Sequence, residues 1–180
     1  MANTYVAIAT VTVASSGATI IDFTSIPQTY TDLCVMLSAR TDRNDGDYDN
    51  LKITFNNSTT GYSARTLGAV LGSTFSGQNL GQSDAIYTMA YGSTQTLPAN
   101  IFSNVFLYIP NYTGSNNKTF NTEMGYANSK SSAPNNDWLL IVGSGLWSNT
   151  SAITSIKLDP EYGSKFVQYS TATIYGIKNA

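Results

Sequence analysis

Histidine is absent from this 180-residue chain, cysteine occurs once, and charged residues make up only 11% of it. Without histidine, Ser-His-Asp and Cys-His nucleophile arrangements and the usual zinc sites are excluded. The single Cys34 excludes an internal disulfide framework, and its setting in "DLCVML" marks it as a small buried hydrophobe rather than a reactive thiol. Lys and Arg total 9 and stand singly, so the basic stripe that neutralises phosphates is lacking, which argues against nucleic acid as a partner. No run approaches the roughly 18 apolar residues of a membrane span, and "MANTYVAIATVTV" has neither the basic region nor the long apolar stretch of a secretory signal. The expectation is a soluble chain synthesised in the cytoplasm, with no membrane partner.

An ordinary soluble domain carries roughly 25% charged residues. Here Ser, Thr and Asn supply the polar surface instead, which makes it neutral and hydrogen-bonding. The same composition generates Asn-x-Ser/Thr sequons at Asn56, Asn57, Asn111, Asn117 and Asn149, which are read as compositional rather than as glycosylation sites.

Apolar residues alternate with polar ones along runs rich in Thr, Tyr, Ile and Val, separated by Gly, Asn, Asp, Ser and Pro. This predicts strands at about 4–13, 18–23, 31–39, 51–56, 65–71, 85–91, 101–109, 119–126, 137–143, 152–158 and 166–177. In these, Leu33, Val35 and Leu37 share a face, as do Leu51, Ile53 and Phe55, and Ile101, Val105, Leu107 and Ile109. No stretch has the period of an amphipathic helix. The prediction is an all-β single domain over 1–180, an antiparallel β-sandwich of about ten strands and jelly-roll-like form.

The densest charge lies in "DRNDGDYDN", residues 42–50. An EF-hand does not fit it, because counting from Asp42 the glycine comes one place early and Ile53 stands where a bidentate Glu belongs. Asp45, Asp47 and Asp49 are weak candidates for a looser calcium site. The preferred reading is a polar hairpin loop whose charges Arg40, Arg43 and Lys52 offset. No metal or cofactor is then required, and replacing Asp45, Asp47 and Asp49 by Asn should leave folding intact. A glycosidase would need two facing carboxylates, for which only Glu123 with Asp137 or Asp84 offers itself, and no feature of the spacing favours the pair. A non-enzymatic protein is expected. The gapped aromatics suggest sugar stacking, with Trp147, beside a turn in "GSGLWSNTS", and Tyr112 as the candidate ligand-stacking rings.

Three segments, "IDFTSIPQTYTDLCVMLSARTDR" (21–43), "LKITFNNSTTGYSARTLGAVLGS" (51–73) and "WSNTSAITSIKLDPEYGSKFVQYSTATIYGIK" (147–178), together resemble a family of small β-sandwich virion surface proteins of tailed bacteriophages. The closing "STATIYGI" is the most distinctive piece, and residues 74–146 match less clearly. The resemblance implies a sandwich displayed on the phage particle: a capsid decoration or cement protein bound to the major capsid protein, or a head-fibre or tail-fibre module that binds host surface glycan. Phage surface proteins of this kind sit at local three-fold axes, which implies a homotrimer. The chain leaves no room for a fibre shaft and anchor, which favours the decoration protein.

Overall fold

Twelve strands and no helix account for the regular structure of the computed structural model, which describes residues 5–46, 48–70, 73–79, 84–88, 97–127 and 138–178. The strands are β1 (Tyr5–Thr12), β2 (Ile21–Phe23), β3 (Asp32–Ala39), β4 (Leu51–Phe55), β5 (Tyr62–Val70), β6 (Ser73–Asn79), β7 (Ile86–Thr88), β8 (Ser103–Ile109), β9 (Lys118–Ala127), β10 (Trp138–Trp147), β11 (Ile156–Pro160) and β12 (Thr171–Ile177). An eight-stranded sheet runs in the order β1-β12-β3-β8-β9-β10-β5-β6, and a four-stranded sheet in the order β2-β11-β4-β7. The chain crosses repeatedly from one sheet to the other, as in a jelly roll, and every pairing is antiparallel. The fold is the expected all-β sandwich, with unequal layers.

The inner faces of both sheets meet in a single apolar cluster. Alternation decides which residues enter it: Leu33, Val35 and Leu37 on β3, Leu51, Ile53 and Phe55 on β4, and Val105, Leu107 and Ile109 on β8 are all buried. Cys34 is buried as well, and burial pushes its thiol up to about 11, so it is inert at neutral pH. An aromatic group fills the centre. Tyr62 stacks on Trp147 with ring centroids 6.0 Å apart, and Phe55 lies 5.7 Å from Trp147 and 6.2 Å from Phe120, edge-on to both. The Tyr62 hydroxyl also accepts the Phe55 backbone N–H at 2.8 Å, tying β5 to the end of β4 across the core.

Two elements depart from expectation. β6 lies in a segment read as a break, and β10 continues through Trp147 instead of ending near residue 143. The strand runs on through Gly143 and Gly145. A Cβ on Gly145 would lie 2.1 Å from the Phe120 ring, so this glycine is a packing requirement of a continuous strand.

Candidate functional site

The acidic stretch is part of the framework of the protein. The Asp49 carboxylate, on a residue only 1% exposed, accepts the backbone N–H groups of Glu161, Tyr162 and Gly163 at 3.2, 2.9 and 2.9 Å. Asp42 continues the series, accepting the N–H groups of Ser164 and Lys165 at 2.7 and 3.0 Å and the Ser164 hydroxyl at 2.5 Å. Every backbone donor from Glu161 to Lys165 is thus aimed at one of two carboxylates, an anion-holding turn whose anions are built in. Gly163 permits the approach, because a Cβ there would stand 2.7 Å from Asp49 Oδ2 and 3.0 Å from Asp42 Oδ1. "DRNDGDYDN" and "DPEYGSK" therefore form one unit although they are far apart in the chain.

The loop reading of Asp45, Asp47 and Asp49 is corrected accordingly. Asp49 is a buried acceptor, so the Asn substitution is expected to cost stability at that position. Asp45 is exposed and pairs with Arg43 at 2.7 Å, whose hydrogen bond and charge hold its carboxyl below the usual range. Asp47 lies outside the described residues. Arg43 also sits over the rings of Tyr162 and Tyr48, 4.3 and 5.0 Å from their centroids, leaving two aromatic side chains half out in solvent beside a cation and an acid.

Burial works to raise the pKa of Asp42, but hydrogen bonds from the Ser164 hydroxyl and from the N–H groups of Lys165 and Ser164 outweigh it and hold the carboxyl below its ordinary value. A carboxyl depressed in the folded state contributes stability above its unfolded pKa of about 3.9, and that contribution is lost as pH falls through the folded value. The melting temperature is therefore expected to fall as the pH drops below about 4. Asp42→Asn should lower it at neutral pH and flatten the acid dependence. Thermal melts of both proteins across that range check this, and an unchanged slope in the variant contradicts it.

Neither ring proposed for ligand stacking is available. Trp147 is 1% exposed, stacked between core aromatics, because β10 carries it inward where a turn had been expected. Tyr112 is fully buried and donates its hydroxyl to the Pro27 carbonyl. Exposed aromatic surface is found instead on Tyr5, Tyr48, Tyr162 and Tyr169. The carboxylates considered for glycoside hydrolysis are not brought together. Glu123 lies on the outer face of the large sheet, Asp84 binds Lys52 and the Tyr87 hydroxyl beside the small one, and Asp137 is outside the described residues.

The two outer faces of the sandwich differ in kind. On the small sheet, strand register sets Asp22 beside Lys157, and Asp159 beside Lys52. Opposite charges alternate there, as on a solvated face. On the large sheet, register aligns Thr173, Met36, Phe106, Glu123, Val142 and Leu67 in one row crossing six strands. Met36, Val142 and Leu67 are 44%, 44% and 52% exposed, and Leu140, one row over beside Gly125, is 59% exposed. Thr171, Asn104, Asn121 and Ser144 flank this stripe, with Arg65 at the end of the Ser144 row.

No family model, curated protein or solved structure matches the chain. The functional reading therefore rests on this asymmetry. A signal for it was present in the sequence: a strand with one wet face alternates, whereas "LLIV" in β10 is continuously apolar, which is the pattern of a strand covered on both faces.

Proposed function

We propose that the protein is a non-enzymatic structural component of a tailed-phage virion, a capsid decoration or cement protein that binds and stabilises the assembled head as a homotrimer. The observation that carries this is the partly apolar, sparsely charged outer face of the large sheet, set against a small sheet whose outer face alternates opposite charges. An apolar stripe of this extent on a soluble chain is surface intended for burial in an assembly. The phage resemblance supplies the kind of assembly, and multivalent contact explains how weak individual contacts hold a shell protein in place. Purified protein is expected to co-sediment with assembled or expanded empty heads and to raise their melting temperature. Failure to bind heads, with binding to host cells or their polysaccharide instead, contradicts the proposal.

A second reading, a head-fibre or tail-fibre module that binds host glycan, is favoured by one observation, the exposed Tyr48 and Tyr162 gathered around Arg43 and Asp45. Aromatic faces next to charged hydrogen-bonding groups suit a sugar ring. On that reading a glycan array gives a hit that Tyr162→Ala abolishes.

A further inference from the structure

We infer that a groove in the outer face of the eight-stranded sheet, lined by Glu123, Met36, Phe106 and Leu140, receives a lysine or arginine side chain presented by an apolar segment of the shell protein. The inference rests on the decoration reading and names what this face recognises.

Shape is the first argument. Register sets Met36, Phe106 and Glu123 side by side on β3, β8 and β9, and in a neighbouring row it sets Asn104, Gly125 and Leu140 side by side on β8, β9 and β10. Gly125 has no side chain to fill its place between Asn104 and Leu140, so the surface dips there, two residues along β9 from the carboxylate. A groove of about 500 Å³ results, within the size range of small-ligand sites. Gly125 does not lie in the left-handed region, and a Cβ on it would meet the Leu140 side chain only at 3.8 Å and the Leu139 carbonyl oxygen at 3.3 Å. What this glycine supplies is therefore the open space.

Charge is the second. Among the described residues that line the groove, Glu123 is the one ionisable side chain. It is exposed, and the described residues give its carboxylate no hydrogen bond or ion pair. Under a purely apolar cover that carboxylate would be buried unpaired, which is costly; a basic side chain arriving with the cover removes the cost. The aliphatic stem of a lysine or arginine lies along exposed Met36 and Leu140, and the flexible thioether of Met36 adapts to it. The cationic head reaches the carboxylate beside the half-buried Phe106, whose ring attracts a cation as well. Carboxylate and ring together select a cation with apolar neighbours over a neutral or acidic segment.

The test titrates the isotope-labelled full chain with two capped tripeptides, acetyl-Leu-Arg-Leu-amide and acetyl-Leu-Gln-Leu-amide, to millimolar concentration while backbone amide shifts are followed. The arginine peptide should shift amides of β3, β8, β9 and β10 around the groove and bind at least about tenfold more tightly than the glutamine peptide, which leaves the carboxylate unpaired. Glu123→Gln should remove that preference, and Gly125→Val, which fills the dip, should abolish both responses, each at the wild-type melting temperature. In co-sedimentation with heads, Glu123→Lys should raise the half-saturating concentration by at least about tenfold. Equal binding of the two peptides, shifts on other strands, or an arginine preference that survives Glu123→Gln overturns the inference. Self-association of the chain that Glu123→Lys breaks assigns the groove to a second copy and overturns it too. Heads coated equally well by wild type and Glu123→Lys leave the decoration reading standing and remove this one, whereas arginine-selective binding by a protein that ignores heads keeps the specificity of the groove and removes the decoration reading.

Discussion

Trp147→Ala is expected to destabilise the protein by about 3–5 kcal/mol, the range for removing a large aromatic from a packed core, and to lower its melting temperature by roughly 10 °C. The indole is 1% exposed and fills the space between Tyr62 and Phe55, where the sheets are pinned together. Little around it can collapse, because Phe55 is already packed against Tyr62 and Phe120, with ring centroids 6.0 and 6.2 Å apart. Trp147→Phe should lose distinctly less. It keeps a ring in the stack and removes the indole Nε1, which finds no hydrogen-bond partner among the described residues. Thermal unfolding of the two variants checks both statements. If the Ala variant melts with wild type, Trp147 belongs at the surface and the ligand-stacking role returns.

Asp49→Ala is the second large effect. It removes one charged acceptor from three backbone N–H groups in the Glu161–Gly163 turn. A hydrogen bond to a charged group is worth about 1.5–3 kcal/mol, and a buried donor left unmade costs about 1–3 kcal/mol. Glu161 N–H keeps the Asn50 carbonyl at 2.9 Å and water can reach part of the turn, so a net loss of about 3 kcal/mol is expected rather than the sum. Asp49→Asn should fall between, since the amide retains one acceptor oxygen. Asp45→Asn should leave the melting temperature unchanged, because its carboxylate is out in solvent on Arg43. Equal effects at positions 45 and 49 would contradict the built-in anion account.

What the sequence made legible follows from what alternation can report. Period-two patterning finds a strand when one of its faces is apolar, and so it located β3, β4 and β8 with their inward residues, except that Ile101 lies before β8 and is only half-buried. It passed over β6, "STFSGQN", which has little apolar content and lies at the sheet edge, paired on one side to β5. It ended β10 near residue 143, whereas the strand continues through Gly143 and Gly145, where Thr122 and Phe120 occupy the space that side chains would need. The misplacement of Trp147 follows from that one error. Asp42 and Asp49 were misread for another reason. Their partners lie more than a hundred residues away in "DPEYGSK", and a carboxylate that caps a distant turn has the same local sequence as one that decorates a loop. The outer face was within reach, through the unbroken apolar run of β10, but a run of that kind does not say which strands continue the stripe. Register does, by bringing Met36 to Phe106 and Val142 to Leu67.

A density map of the intact phage particle tests the central claim most directly, since it reports location, oligomer and orientation together. The account predicts trimers of the twelve-stranded sandwich repeated over the head surface. In each, the Met36–Leu67 row of the large sheet is covered by a neighbouring protein, and the small-sheet faces carrying Lys52 and Lys157 are turned to solvent. Density for this sandwich at a fibre tip and none on the head, or single copies with the Met36–Leu67 row open to solvent, contradicts it.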